Sequence, residues 1–490
     1  ISQWGYDFRP SYLQIAEIRR VKPDAPVLAL TATATRRVMD DIMERLQFRE
    51  KKVFRMSFKR DNLAYVVREA LDKYAELLHI LKSVEGSAII YTRSRRRSKV
   101  VSEWLEQQGV SATFYHAGLE PAIKDERQKL WQTDKKRVMA ATNAFGMGID
   151  KPNVRLVIHL DCPDSVEAYF QEAGRAGRDG KIAYAILLWN GHDHAVLAKR
   201  IKTTFPSKEI VRDVYDHLAY FFQVGLGSGN GHTFTFNIDQ FCYIYHFYPL
   251  YVNSALHNWQ SAGYIEYETD PDARARLRFL LGRDELYKLY ETTPNEEAVI
   301  SALLRNYSGL FSDYRYVEEA LISQVSGLSQ NEVYLILKSL SHRRILHFIP
   351  QRKTPFITYT QDRIDGCDVV IPASVYDQRK EQFIKHVNAI EAYATNNHVC
   401  RSRQLLRYFD ETKSEDCGIC DVCVDHQPNP NAEQEFKDAK QAILDLLADH
   451  KPHDIKETSE LLLPRKAFKE ALKYLCNEEL VHIDGLMIYR

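Results

Sequence analysis

Residues 141–154 read Ala-Thr-Asn-Ala-Phe-Gly-Met-Gly-Ile-Asp-Lys-Pro-Asn-Val, and residues 171–180 read Gln-Glu-Ala-Gly-Arg-Ala-Gly-Arg-Asp-Gly. Both stretches are expected at strand ends of an α/β lobe, because ligands of such sheets bind beyond the carboxyl ends of the strands. The glycines at 146, 148, 174 and 177 allow the backbone to come close to a phosphate. Arg175 and Arg178 stand three apart, so both can reach one spot from a single helical face and bring delocalised positive charge to a transferring phosphoryl group. An arginine pair alone suits a solvated surface equally well. The density of Gly, Arg and Gln around this pair is what suits phosphate chemistry.

Working outward, short apolar runs alternate with helical spacing. Ser87–Tyr91, Ala112–Tyr115, Val138–Ala141 and Val154–His159 read as strands, and Ser98–Gln107 and Ala122–Trp131 as helices. That alternation predicts an α/β lobe with a parallel sheet covered on both faces. Upstream, Val27–Leu30 resembles a further strand and Arg36–Leu46 a helix. From about residue 208 the rhythm changes. Three windows beginning at Leu256, Leu337 and Leu472 align without gaps. Each has apolar residues three apart at a helix end, a polar turn and an alternating strand. Second strands follow at Arg276–Leu281, Phe356–Tyr359 and Met487–Tyr489. A helix that ends in a hairpin describes a winged helix, so three α+β winged-helix-like units are expected. The domain plan is 1–70 ahead of an α/β lobe at 71–200, winged units at 201–290 and 291–395, a cysteine-bearing module at 396–426 and a third winged unit at 434–490.

The chain has 490 residues, 66 Lys+Arg against 66 Asp+Glu, and 45% hydrophobic residues. That is material for roughly three to four domains. Zero net charge excludes a polybasic nucleic-acid coat but not a locally basic groove. No run of about 18 apolar residues and no export signal is present, so no membrane partner is expected and a cytoplasmic location is. The chain opens on Ile1, and it reads as a piece of something longer.

Cysteines 400, 417, 420 and 423 follow the spacing Cys-x16-Cys-x2-Cys-x2-Cys. Three thiolates within seven residues, plus one from an upstream helix, can close a tetrahedron around a structural Zn²⁺. Asp425 and His426 are nearby alternative ligands, and an iron–sulfur cluster remains a second reading. Cys162, Cys242, Cys367 and Cys476 are isolated and expected in cores.

The stretches at 141–155 and 171–180 resemble motifs V and VI of superfamily 2 helicases, and of the RecQ family in particular. Ser2–Pro10 resembles that family's aromatic-rich loop, with Tyr6 where a histidine is usual. Leu30–Ala34, Ile90–Arg95 and Tyr115–Leu119 resemble its motifs III and IV and the stretch after IV. The cysteine spacing resembles its zinc module, here set about 200 residues beyond Arg178 rather than close behind the lobes. The resemblance implies an ATP-driven 3′→5′ DNA helicase of repair and recombination, with ATP and Mg²⁺ held between two RecA-like lobes, 1–70 being the remnant of the first and 71–200 the second. It implies that Arg178 is an arginine finger at an exposed edge, supported by Arg175 and Gln171, with Gly148 and Asp150 touching nucleotide. It further implies that Thr142, Trp4, Phe8 and Arg9 meet DNA, single-stranded or at duplex junctions. The family's P-loop and D-E-x-H box have no counterpart in these residues. The only Gly-Lys, at 180–181, is followed by Ile182. The chain alone is therefore expected to bind DNA without hydrolysing ATP. A non-enzymatic DNA-binding module is the alternative.

Two weaker candidates remain open. Arg352 and Lys353 sit at the turn of the second expected hairpin, where they suit either phosphate contact or a solvated loop. Arg93, Arg95, Arg96, Arg97 and Lys99 form a basic run that suits either a DNA groove or water.

Overall fold

The computed structural model describes residues 15–31, 35–146, 149–268, 275–286, 292–312, 314–350, 355–428, 430–454, 463–484 and 487–490. Trp4, Phe8, Arg9, Gly148, Arg352 and Lys353 lie outside the described residues. The chain divides into two compact units, Ile1–Lys199 with Gln382–Arg490, and Arg200–Glu381. Among the described residues no helix is long and apolar enough to cross a membrane.

In the first unit, β1 (Leu63–Glu69), β2 (Ser87–Tyr91), β3 (Ala112–Tyr115), β4 (Val138–Ala141), β5 (Val154–His159) and β6 (Ala183–Trp189) form one parallel sheet. Its order is β1-β6-β5-β2-β4-β3. Every residue of β2 and β4 is buried. That is why these strands read as unbroken apolar runs rather than alternating ones: helices cover both faces of a parallel sheet. Side-chain caps at Asp72, Ser94 and Ser165 accept backbone N–H groups and start the helices Lys73–Ser83, Arg95–Gln107 and Val166–Ala173. The core gathers Leu77, Leu81, Val101 and Leu105 of the helices against Ile90, Ala140 and Ile158 of the strands.

Ahead of this lobe, Arg36–Arg45 is helical as expected. Val27–Leu30 is not a strand, and Leu28 and Leu30 are 77% and 84% exposed. An apolar run becomes a strand only where a neighbour takes its backbone groups, and among the described residues no strand pairs with this run.

The second unit contains β7 (Thr233–Thr235), β8 (Ile265–Glu268), β9 (Arg276–Phe279), β10 (Arg315–Tyr316), β11 (Leu346–Ile349) and β12 (Phe356–Tyr359). The segments at Leu256 and Leu337 both run helix, turn, strand as the repeat requires, but their second strands exchange partners. β8 pairs with β12, Ile265 opposite Tyr359 and Glu268 opposite Phe356. β9 pairs with β11, Arg276 opposite Ile349 and Phe279 opposite Leu346. The two hairpins expected from sequence order are therefore corrected to a nested arrangement. One winged helix (helices Lys208–Phe222, Ile238–Tyr245 and Pro249–Ser261, sheet β7-β12-β8) carries the other inside its wing. By strand pairing, the expected ranges 201–290 and 291–395 interleave rather than follow one another.

The inner unit is also permuted. Its helices Pro294–Asn306, Glu319–Ser326 and Gln330–His342 precede β11, and the strand that should close the hairpin comes first, as β9. Sheet order is nevertheless the same, β10-β9-β11. Core fit decides the exchange: Leu277 and Phe279 are buried with Val299, Leu303, Leu337 and Leu340, whereas Ile357 and Tyr359 are buried in the outer unit. There the Tyr359 ring meets Phe234 at 6.2 Å. Insertion is geometrically easy because both pairs of ends are cross-strand neighbours. It follows that replacing residues 269–355 with a short turn should leave the outer winged helix folded, its wing closing as an ordinary hairpin. Loss of cooperative thermal unfolding in the shortened chain, followed by circular dichroism, would contradict the nesting.

A third sheet, β13 (His453–Asp454), β14 (His482–Asp484) and β15 (Met487–Tyr489), closes the chain in the order β13-β15-β14 over helices Ala432–Leu446 and Arg465–Asn477.

Candidate nucleotide edge and metal centre

The stretch at 142–150 leaves the carboxyl end of β4. Thr142 is buried, its N–H donates to Tyr115 O (3.2 Å), and its carbonyl accepts from Phe145 N (3.0 Å). The Tyr91 hydroxyl donates to Phe145 O at 2.9 Å. Burial raises the Tyr91 pKa, so this phenol stays a donor. Gly146 leaves room for a close side-chain approach here. A Cβ at that position would lie 2.6 Å from the Arg175 guanidinium, which donates to the Gly146 carbonyl.

The second stretch lies at the end of a helix rather than at a strand end. Helix Val166–Ala173 stops with Gly174 as its C-cap, and Gly177 takes a φ of +63°. Gln171 is on that helix and exposed. Arg175 and Arg178 follow it in turns, so they do not share a helical face. Arg175 is buried against Gly146, while Arg178 is exposed and donates to Ile149 O (2.8 Å) and the Asp150 carboxylate (3.2 Å). The backbone carbonyl of Ile149 and the carboxylate of Asp150 thus offer two acceptors within reach of this guanidinium. Asp150 remains 88% exposed in its side chain, so this pair is easily exchanged for another partner.

Beneath this edge, His159 Nε2 and Glu172 Oε2 lie 2.8 Å apart in the interior. The imidazole sits between Tyr91 (5.3 Å) and Tyr169 (4.9 Å). This pair ties β5 to the helix that leads into Arg175. Glu172 lies within the 171–180 stretch, but nothing in the sequence names His159 as its partner. In the basic run, Arg93 and Arg97 pair with Asp164 (2.5 Å) and Asp161 (2.6 Å), which offset their charge for any groove.

The four cysteines converge. All four Sγ atoms lie within 4.8 Å of one another. Cys400 lies 3.5 Å from Cys417 and 3.8 Å from Cys420. Tetrahedral Zn²⁺ with Zn–S of ~2.3 Å needs sulfurs about 3.8 Å apart, so the set fits. Hydrogen bonds from Cys417 and Cys420 hold the Cys400 thiol far below its ordinary range. The hydrogen bond to Cys400 raises Cys420, and burial pushes Cys423 up to about 12. A dication supplies the charge that lets all four ionise. Asp425 and His426 are not part of the cluster, and of the other cysteines Cys367 is exposed rather than in a core.

The module is locked to the sheet by Arg401, which is 1% exposed. Its guanidinium donates to Asp421 (3.0 and 3.1 Å), to the carbonyls of Tyr393 (2.6 Å) and Asn396 (2.9 Å), and to Asn397 Oδ1 (2.6 Å). Asp421 also accepts the N–H of Val67 at 3.0 Å, capping the edge strand β1. Phe409 packs on Phe58 (5.1 Å) and Phe170 (4.9 Å). Arg401→Met should therefore strand the Asp421 carboxylate and lower stability by about 3–5 kcal/mol, read by urea denaturation. A loss under about 1 kcal/mol would mean the pair is replaceable.

Residues 71–180 match the helicase conserved C-terminal domain family, which makes the parallel-sheet lobe a helicase lobe. Residues 360–424 match RecQ zinc-binding, and 277–350 match the RecQ helicase winged-helix domain of Bacteroidota. Two of these stretches, 277–350 and 360–424, are thus of RecQ type. The chain is 43% identical over 213 residues to the ATP-dependent DNA helicase RecQ of Haemophilus influenzae, covering 43% of this chain and 34% of that protein. To the RecQ of Bacillus subtilis it is 42% identical over 196 residues (39% and 33%). To the RecQ-like DNA helicase BLM of Xenopus laevis it is 44% identical over 202 residues (39% and 14%). The chain thus spans about a third of the length of the bacterial relatives it matches.

Proposed function

We propose that this chain forms the second motor lobe and the DNA-binding apparatus of an ATP-driven 3′→5′ DNA helicase acting in repair and recombination. The observation that carries the reading is the exposed edge where Arg178 and Asp150 meet beside the buried Arg175–Gly146 contact. In this reading Arg178 swings from Asp150 to the γ-phosphate when a P-loop-bearing lobe closes over ATP and Mg²⁺. Asp150 and Gly148 meet the nucleotide, and Gln171 faces the same cleft. Arg175 acts as a positioning residue through Gly146 rather than as a second finger. Thr142, Trp4, Phe8 and Arg9 sense single-stranded DNA, and Arg352 and Lys353 meet duplex phosphates. Residues 71–200 are the lobe, 396–426 the zinc module, and 434–490 a third winged unit.

The chain alone is expected to bind a forked oligonucleotide, read by fluorescence anisotropy, and to release no phosphate above background. Half of the positioning machinery for phosphoryl transfer has no residues here. Robust DNA-stimulated phosphate release by residues 1–490 would sink the second part of this reading. Failure to bind any DNA would sink the first.

A further inference from the structure

The three winged-helix sheets differ in the face they turn away from their helices. Directly opposed residues on neighbouring strands share a face. In the outer unit one such row is Thr233–Thr358–Glu266, and in the third unit His482 stands beside Tyr489 and Asp484 beside Met487. Neither of these faces carries Lys or Arg in those rows. The inner unit is different. Leu277, Phe279, Leu346 and Phe348 point into its core, which leaves Arg276, Arg278 and His347 on the other side. Tyr316 and Ile349 stand opposite Arg276, and His347 stands opposite Arg278.

Tyr314 completes this face. The Arg278 and Arg276 guanidinium carbons lie 5.1 and 5.8 Å from its ring centroid. Its hydroxyl meets His347 Nδ1 at 2.5 Å. Burial, then the Arg278 and Arg276 cations, lower the His347 pKa, so the neutral ring accepts that hydroxyl proton and fixes the Tyr314 ring. Arg276 also pairs with Glu268 of the outer wing. Tyr316 is 60% exposed.

We propose that this outer face of the β10-β9-β11 sheet binds single-stranded DNA, with Tyr316 and Tyr314 stacking on bases and Arg276 and Arg278 on phosphates. The inference rests on the reading of the chain as DNA-acting and adds a contact surface to it. Aromatic rings interleaved with cations on an open sheet match unpaired bases, whose faces are free, and a charged backbone. Duplex grooves are read instead by a protruding helix or ribbon. The face lies away from the helix Gln330–His342, so the inner unit can hold a separated strand while its helices remain free.

The test uses the whole chain with two labelled probes, oligo-deoxythymidine and a blunt duplex, in anisotropy titrations. Tyr316→Ala should weaken oligo-deoxythymidine roughly tenfold, and Tyr316→Phe should bind as the parent does. Arg278→Gln should lower the slope of log affinity against log salt for the single strand by about 0.7. Duplex affinity should be unchanged in all three. Should Arg278→Gln unfold the inner unit, Tyr316→Ala carries the test, since that side chain is solvent-facing. Unchanged oligo-deoxythymidine affinity in Tyr316→Ala overturns the proposal, as does an equal loss on duplex. A parent chain that binds neither probe fails the DNA-acting reading instead, so the two failures are told apart.

Discussion

Arg178→Ala, in a chain joined to a P-loop-bearing first lobe, is expected to lower DNA-stimulated ATP turnover on the order of 10³-fold while leaving DNA affinity nearly intact. The size of the effect comes from the transition state. Phosphoryl transfer spreads charge over the equatorial oxygens, and a guanidinium placed there acts where water is excluded. Affinity for DNA should not follow, because Arg178 is turned toward Asp150 and Ile149 at the carboxyl edge of the sheet. Arg175→Ala should behave differently. That side chain is buried and holds the Gly146 carbonyl, so its loss frees the backbone at 142–146 and should affect both turnover and fold stability. Phosphate release and anisotropy on the two variants distinguish a finger from a positioning residue. Full activity of the Arg178→Ala long form would remove the role given to that residue.

Cys420→Ser is expected to abolish metal binding and unfold the module between Cys400 and Cys423. The Cys420 sulfur is fully buried and accepts the N–H groups of Arg401 (3.4 Å) and Cys423 (3.4 Å), so it organises the backbone as well as the ion. Structural Zn²⁺ contributes ~10–16 kcal/mol in small modules, as much as the whole stability of a typical domain, about 5–15 kcal/mol. The damage should spread. Asp421 would leave the Val67 N–H on the edge of β1, and Phe409 would leave Phe58 and Phe170. Native mass spectrometry should find one zinc in the parent chain and none in the variant, with early proteolysis between 400 and 426. The inner winged helix, which belongs to the other compact unit, should keep its protease resistance. A metal-free parent that melts like the loaded one would refute the account.

Much of this architecture is written in local pattern. Apolar runs mark β2 and β4 because a parallel sheet is buried on both faces. Glycines at 146, 148, 174 and 177 and the spacing of four cysteines mark sites because chemistry there depends on which residue types stand at short range. Helix, turn and strand at Leu256, Leu337 and Leu472 are equally local. What the sequence could not decide was partnership at a distance. β9 and β12 are both four-residue strands at similar distances after a helix, so period and spacing make each a suitable hairpin partner for the strand before it. Only the fit of Leu277 and Phe279 into one core, and of Ile357 and Tyr359 into another, selects the nested pairing. In the same way the His159–Glu172 pair, the burial of Arg175 and the Arg401–Asp421–Val67 lock join residues 13 to 354 positions apart. Their partners are chosen by packing, and packing is a property of the assembled chain.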